Sequence, residues 1–148
     1  MEVCRIPMEE LYPILAEQLS RGSAQLPVTG NSMSPTLRGG RDLVRLERPE
    51  RGVKRGDVLL YRRQSGQYVL HRCLKAGETL VCCGDRQLTK ESIRAEQVLA
   101  VVTAFRRKGR WHDSNAPLYR LYVRAWMILP LRRAVFLMRE LLRRLGVK

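Results

Sequence analysis

Short β-prone runs separated by turn residues fill the middle of the chain, with no helical stretch between them. The runs cover residues 42–46, 57–62, 68–74, 79–83 and 98–105. Strands at this spacing favour an antiparallel arrangement, because parallel strands need long crossover connections that are usually helical. We therefore predict a mainly β fold built on an antiparallel, partly barrel-like sheet. The runs around Ser65-Gly66 and around Gly77 each predict a hairpin.

A helical pattern precedes this strand region. Apolar residues recur there at helical spacing, namely Met8, Leu11, Tyr12, Leu15 and Leu19. Pro7 suits the first turn of such a helix and Gly22 suits its end. Pro13 lies inside the pattern, where it would kink the helix or delay its start.

The chain divides into three segments around the strand region. Residues 1–24 are predicted to form the N-terminal helix packed on the domain, residues 25–105 the core, and residues 106–148 a basic loop and a helical tail. The loop extends to Asn115, and the second helical region begins near Pro117. At 148 residues, the whole chain fits one domain with a helical appendage.

The net charge of the chain is +14, and the C-terminal segment carries half of it. From Leu118 to the end, seven arginines and one lysine stand against Glu140 alone. An apolar stripe also runs through this segment; it consists of Leu131, Ala134, Val135, Met138, Leu141, Leu142 and Leu145. A basic amphipathic helix of this kind suits an anionic membrane surface. A helix packed on the sheet with its arginines in solvent fits the same pattern.

Several classes of protein are disfavoured by the sequence. No run approaches the roughly 18–20 apolar residues that span a bilayer, and the first residues lack the apolar segment of a signal peptide. The four cysteines are Cys4, Cys73, Cys82 and Cys83. Since two of them are adjacent, which strains a mutual bridge, we expect reduced thiols in a cytoplasmic protein that is at most peripheral to a membrane. The cysteine and histidine spacing is poor for zinc, so we expect no metal and no other cofactor.

Ser32 is the candidate nucleophile. It lies in the stretch Gly-Asn-Ser-Met-Ser-Pro-Thr-Leu at residues 30–37. Gly30 allows the backbone to approach a substrate closely, and Pro35 stiffens the chain just after the serine. A serine hydroxyl becomes reactive only when a neighbouring base removes its proton. Without such a base, the same residues describe an ordinary turn.

His71 is the best candidate for that base. Its ordinary pKa lies near neutrality, and it sits in the apolar run Val-Leu-His-Arg at residues 69–72. The other histidine, His112, lies in a polar stretch where we expect it to be exposed. Lys54 and Lys75 are alternatives only if they are deeply desolvated.

Asp85 is the candidate for a third member. It follows Gly84 in a predicted turn after a strand, and a carboxylate that accepts a hydrogen bond from the base fixes the tautomer of the base. The alternative is a plain turn aspartate, since Asp42 and Asp57 have the same local surroundings.

Four stretches occur in the order found in a known peptidase group. Residues 30–37 resemble the Ser-Met-x-Pro-Thr box of the S24/S26 serine peptidases, which include type I signal peptidases and the self-cleaving SOS repressors. Residues 55–62 resemble the Gly-Asp-hydrophobic strand of that group, residues 69–72 its next box, and residues 83–85 its Gly-Asp turn. The resemblance covers roughly residues 25–105 and implies the peptidase sheet of this group.

The same resemblance implies roles for individual residues. These are Ser32 as nucleophile, His71 as base, Asp85 as supporting carboxylate, and Gly30, Asn31, Met33 and Pro35 as substrate-binding residues. Most bacterial members have lysine at the base position. Histidine there is similar to the endoplasmic-reticulum, archaeal and sporulation-type signal peptidases.

The sequence departs from that group at three places. The usual N-terminal transmembrane anchor does not occur in these residues. The second aspartate that often follows the Gly-Asp turn is missing, which makes Glu91 another candidate for the third catalytic residue. Some members have a serine two positions before the nucleophile that helps to hold the oxyanion. Gly30 occupies that position here, which leaves backbone N–H groups and the side chain of Asn31.

Two functions follow from these patterns. We expect a serine endopeptidase of signal-peptidase-like type that hydrolyses a peptide bond in a leader, signal-like or small precursor peptide. Its expected partners are that peptide or precursor protein and an anionic membrane surface bound through the C-terminal basic helix. The alternative is a non-catalytic module that binds a peptide, a membrane or nucleic acid on the same fold. Nucleic acid is the less favoured partner, because zinc-finger spacing and an RNP-like aromatic run are both missing.

Overall fold

The computed structural model describes residues 8–146 of the chain. The helices are α1 (Met8–Ser20), α2 (Pro117–Met127) and α3 (Leu129–Arg144). The strands are β1 (Ser23–Pro27), β2 (Leu43–Glu47), β3 (Val58–Arg62), β4 (Tyr68–Lys75), β5 (Thr79–Cys83), β6 (Glu91–Arg94), β7 (Val98–Arg107) and β8 (Arg110–Asp113). The predictions for Cys4 and Pro7, and those for the side chains of Met8 and Leu131, lie outside the described residues.

All eight strands belong to one antiparallel sheet. The order is β1-β2-β7-β3-β4-β5-β6, and β8 pairs with β7 beside that path. Strand β7 is long enough to pair with β2 along one edge and with both β3 and β8 along the other. The prediction of a mainly β, antiparallel fold is therefore confirmed. Within residues 8–146 the sheet is open rather than closed, since β1 and β6 end the path at opposite sides.

The predicted strands agree with the observed ones to within one or two residues. Both predicted hairpins are present, because β3 pairs with β4 and β4 pairs with β5. The prediction of an irregular loop over 106–115 was wrong in its first part, where β7 continues to Arg107 and β8 begins at Arg110. The physical reason is the pair Lys108-Gly109, in which both residues adopt positive φ (51° and 77°). That conformation suits the two-residue turn of a tight hairpin.

Both faces of β3 are buried, and this places two apolar clusters on opposite sides of the sheet. Val58 and Leu60 pack in the cluster that is covered by Leu15 and Leu19 of α1. Leu59 and Tyr61, which alternate with them along β3, face the second cluster together with apolar side chains of β4, β5 and β6. This division follows from the alternation of side chains along a strand. Helix α1 runs from Met8 to Ser20 through Pro13, as the helical pattern predicted.

The C-terminal helices differ in how they contact the sheet. Helix α2 has a buried apolar side and also makes polar contacts: Trp126 Nε1 donates to the carbonyl oxygen of Asp85 at 3.0 Å, and Arg120 pairs with Asp57 at 2.7 Å. Helix α3 follows α2 and contacts it through Trp126 and Phe136. Most of the described residues of the predicted stripe on α3 are exposed, which contradicts the alternative in which this side of the helix packs on the sheet. Between residues 8 and 146, every helix falls short of the length and apolar character that crossing a bilayer requires.

Candidate functional site

A cleft of about 340 Å³ opens between the segment that follows β1 and the first half of β4. Ser32 and Met33 line one wall, and Val69, Leu70 and His71 line the other. The structure therefore brings the predicted nucleophile and the predicted base to the same cleft, although they are far apart in the sequence.

The segment that carries Ser32 is a tight, partly buried turn. The Ser34 N–H donates to the carbonyl oxygen of Asn31 at 3.1 Å, and the Leu37 N–H donates to that of Met33 at 2.9 Å. Met33 and Leu37 are buried and anchor the turn in the core, whereas Ser32 is half-buried at the cleft. Two buried apolar side chains just after Ser32 thus anchor the turn and hold a polar side chain at the surface, which is how a scaffold presents a reactive group on a loop.

A second turn supports Ser32 from behind. The Arg86 N–H donates to the carbonyl oxygen of Ser32 at 2.9 Å. A Cβ atom at Gly84 would lie 2.6 Å from the same oxygen. Because real Cβ contacts are not that short, only glycine at this position lets the two turns approach each other. The Gly-Asp turn therefore contributes to the site through its backbone.

His71 lies on the same face of the sheet as Tyr61. It pairs with Leu59 across β3 and β4, and Tyr61 is its diagonal neighbour. Nδ1 of His71 is 3.1 Å from the Tyr61 hydroxyl and 3.3 Å from Oε1 of Glu91. The Tyr61 hydroxyl donates its hydrogen to Glu91. Both groups near Nδ1 are then acceptors, so they favour the tautomer with the proton on Nδ1 and the lone pair on Nε2.

Glu91 is held in place by Arg63. The guanidinium Nε of Arg63 lies 3.0 Å from Oε2 of Glu91. Burial alone would raise the pKa of Glu91, but hydrogen bonds from Arg63 and Tyr61 outweigh this effect and leave the pKa below its ordinary value. The side chain is therefore ionised near neutral pH and can stabilise a protonated imidazole.

The imidazole of His71 is buried and neutral at physiological pH. Burial lowers the pKa of His71 below its ordinary value of 6.5, and the nearby Glu91 carboxylate opposes this shift without cancelling it. A neutral histidine with its lone pair on one nitrogen is the form that accepts a proton from a serine.

Asp85 does not contact His71. Its carboxylate receives two hydrogen bonds from Arg72, from Nε at 3.0 Å and from Nη2 at 2.6 Å, and both side chains are almost completely buried. The expectation that Asp85 supports the base stays a prediction: Glu91 is the carboxylate at Nδ1 of His71, and Asp85 acts on His71 through its charge, which raises the pKa of His71. The reason for the separation is strand geometry: consecutive residues point to opposite faces, so Arg72 and its partner lie across the sheet from His71.

The predicted substrate-binding residues are divided between the cleft and its surroundings. Gly30 and Met33 line the cleft, whereas Asn31 and Pro35 are not among its lining residues. Met33 also links the turns, since its sulfur accepts a hydrogen bond from the Asp85 N–H at 3.4 Å.

The other candidates for the base are placed away from this arrangement. Lys54 and Lys75 are exposed, so they lack the deep desolvation that a lysine base requires. His112 is also exposed, as predicted, and stacks on Phe105 with 5.2 Å between ring centroids.

Three residues of the site were missed in the sequence. Tyr61, Arg63 and Gln87 have no motif of their own, although Arg63 and Gln87 line the cleft. The alternation of β3 could have identified Tyr61, because a hairpin around Ser65-Gly66 places it on the face of His71. Arg63 and Gln87 follow a strand and a turn, where no pattern predicts the direction of a side chain.

Cys73 on β4 and Cys82 on β5 lie directly opposite each other, and a side-chain hydrogen bond joins them. In the part of the chain that the structure describes, Cys73, Cys82 and Cys83 are buried and remain thiols. Over the same residues, no cluster of three or more His, Cys, Asp or Glu side chains is arranged to hold a metal ion.

No protein-family model matches this chain, and no curated protein is significantly similar to it.

Proposed function

We propose that this protein is a serine endopeptidase in which Ser32 is the nucleophile and His71 the general base. The observation that carries the proposal is the arrangement around one cleft: Ser32 and His71 both line it, and Nδ1 of His71 faces Glu91. With Nδ1 occupied in this way, Nε2 is the nitrogen left to receive the serine proton. The proposed set is then Ser32, His71 and Glu91, with Tyr61 and Arg63 positioning the carboxylate.

The reaction follows the general course of serine acyl transfer. Ser32 Oγ attacks the substrate carbonyl carbon while its proton passes to His71, and His71 then protonates the leaving amine as the peptide C–N bond breaks. Water then attacks the acyl-enzyme ester while one of its protons passes to His71. His71 returns that proton to Ser32 Oγ as the ester C–O bond breaks and the carboxylic acid product leaves. Glu91 stabilises the imidazolium that forms in both steps. Backbone N–H groups around Gly30 and Ser32 are the nearest donors for the oxyanion.

The cleft suits a substrate in extended conformation. Strand β4 pairs with β3 from Tyr68 onwards but pairs with β5 only from Arg72 onwards. Its first half therefore has one edge that no described strand occupies, and this edge borders the cleft. A substrate peptide that added to this edge would form backbone hydrogen bonds and pass between β4 and the Ser32 turn. Such a substrate would be a leader, signal-like or precursor peptide with an unfolded segment around the cleavage site.

The test is cleavage of a diverse peptide mixture by the purified full chain, followed by mass spectrometry of the products. We expect discrete cleavage sites with the wild-type chain and none with Ser32→Ala or His71→Ala. Ser65→Ala is the matched control, because Ser65 is an exposed serine on the β3–β4 turn. Circular dichroism shows whether each variant is folded. Undiminished cleavage by folded Ser32→Ala, or no cleavage by the wild-type chain, would contradict the proposal.

A further inference from the structure

Helix α3 presents its most apolar side to solvent. Four large apolar residues of the predicted stripe are exposed together with the neighbouring Leu137. We call these five residues the exposed stripe: Leu137, Met138, Leu141, Leu142 and Leu145, whose side chains are 40–70% exposed. These positions repeat at the spacing that places residues on one side of a helix. The opposite side contacts the rest of the protein, where Phe136 packs edge-on against Trp126 with 6.2 Å between ring centroids. A surface helix of a globular protein normally has the reverse orientation.

The preceding helix adds to this exposed apolar surface. Leu118 and Leu121 of α2 are 83% and 64% exposed, and Ile128 between the helices is 54% exposed. Most of the large exposed apolar side chains of the described residues therefore lie in the C-terminal helices rather than on the sheet. Concentrated exposed apolar surface of this kind marks a site of interaction.

Arginines border the stripe on α3. By helical geometry Arg133 and Arg144 lie along one edge and Arg139 lies towards the other, whereas Arg143 lies on the side of Phe136. Glu140, the only acid of α3, pairs with Arg143 at 2.7 Å and with Arg144 at 3.2 Å. The helix thus combines an apolar side with a strong excess of positive charge at its borders.

We propose that α3 lies in the interface of an anionic lipid bilayer, with its apolar stripe among the acyl chains and its arginines at the phosphate groups. An anionic bilayer fits both the exposed apolar stripe and the arginines beside it, because lipid supplies apolar and anionic groups in adjacent layers. A second copy of the chain would bring another net charge of +14 to the same surface. Nucleic acid would pair with the arginines but would leave the stripe exposed.

This surface is connected to the cleft. The Tyr122 hydroxyl of α2 lies 3.0 Å from Oγ1 of Thr36, which belongs to the same turn as Ser32. Lipid binding through the C-terminal helices would therefore hold the cleft close to the membrane surface. The inference does not depend on peptidase activity, since its test measures binding alone.

The experiment is flotation of the full chain with vesicles of phosphatidylcholine alone or of phosphatidylcholine with phosphatidylglycerol. We expect binding to the anionic vesicles that weakens with added salt, and little binding to the neutral ones. The double variant Leu137→Glu/Leu141→Glu should lose binding, because it places two carboxylates in the stripe. Arg139→Gln, which leaves the apolar contacts intact, should weaken binding about fivefold. Ile14→Glu is the matched control, since Ile14 is 56% exposed on α1.

Three results would overturn the proposal. They are failure of the wild-type chain to bind anionic vesicles, equal binding by the folded double variant, and equal binding to neutral and anionic vesicles at low salt. Light scattering after size exclusion tests whether a second copy of the chain occupies the stripe instead of lipid. A dimer of the wild-type chain that the double variant lacks would assign the stripe to a second copy of the chain.

Discussion

At the scale of single residues, the chemistry of the site depends on which carboxylate reaches His71. The two candidates, Asp85 and Glu91, lie close together in the sequence but in different surroundings in the folded chain. Glu91 is partly exposed and contacts Nδ1 of His71, whereas Asp85 is buried against Arg72. An ionised carboxylate beside the base acts on the reaction, while one that neutralises a buried guanidinium acts on stability. Exchanging each carboxylate for its amide separates the two roles.

Glu91→Gln should impair catalysis and leave the fold intact. We expect kcat to fall by about 100-fold or more, because the imidazolium loses its stabilising charge. Since the carboxylate raises the pKa of His71, its removal should lower that pKa further and move the acid limb of kcat/KM to lower pH. The measurements are the pH profile with a cleaved peptide and NMR titration of the ring protons. An unchanged His71 titration would show that Glu91 does not act on the base.

Asp85→Asn should mainly destabilise the protein. Loss of the carboxylate leaves the buried Arg72 guanidinium without its charge partner, and breaking such a pair costs about 3–5 kcal/mol. Urea unfolding of the variant and the wild-type chain measures the difference in the free energy of unfolding. Loss of activity in Asp85→Asn with unchanged stability would instead identify Asp85 as the catalytic carboxylate.

At the scale of elements, β5 connects the strand that carries His71 to the turn that supports Ser32. The strand pairs with β4, which carries His71, and it ends at the turn whose Arg86 N–H binds the Ser32 carbonyl oxygen. The turns at its two ends both contain glycine but differ in the space around it. Gly84 is tightly enclosed by the Ser32 backbone, whereas a Cβ at Gly77 would meet its nearest neighbour at an ordinary 3.7 Å.

Gly84→Ala should therefore reduce activity, and Gly77→Ala should not. The added methyl group at Gly84 has to push the Ser32 turn away, and a displacement of about 1 Å can cost on the order of 100-fold in rate. At Gly77 the same change has room and should alter the free energy of unfolding by less than about 1 kcal/mol. Parallel measurement of kcat and thermal unfolding for both variants checks this. Equal activity in the two variants would mean that the close approach at Gly84 does not position Ser32.

The elements also differ in how far the sequence predicts them. The central strands have continuous or alternating apolar residues between turn signals, so their positions could be predicted. Strands β1 and β6 could not, because Ser-Ala-Gln-Leu-Pro and Glu-Ser-Ile-Arg lack such a pattern. They are edge strands of the path, and their conformation depends on the neighbour with which each pairs.

At the scale of the whole molecule, the buried titrating groups make stability depend on pH. His71 has a folded pKa below its ordinary value of 6.5, so the unfolded chain takes up a proton first as the pH falls. The stability that neutral His71 contributes is therefore fully present above about pH 6.5 and declines below it. Glu91 acts in the same direction at lower pH, because its lowered pKa contributes stability that is lost as it becomes protonated.

The free energy of unfolding should thus decrease on acidification from about pH 7.5 to about pH 5.5. The decrease due to one proton is at most about 1.4 kcal/mol per pH unit. In His71→Gln this part of the pH dependence should disappear, whereas it should persist in His112→Gln, which changes an exposed ring. Chemical denaturation of the three proteins at both pH values provides the measurement. Identical slopes in all three would show that His71 is not the group responsible.

The sequence by itself determined the class of fold and the candidates for nucleophile and base, because these depend on local patterns. Strand-length runs between turn residues predict an antiparallel sheet, and few side chains in this chain have the chemistry of a base near neutral pH. Tertiary structure alone decided which carboxylate supports His71 and which side of α3 faces solvent. Both depend on pairing between distant segments: Arg72 captures Asp85 across the sheet, and α3 packs through Phe136 rather than through its leucines. A local sequence pattern cannot predict either result, because each depends on which of several distant segments pairs or packs best in the folded chain.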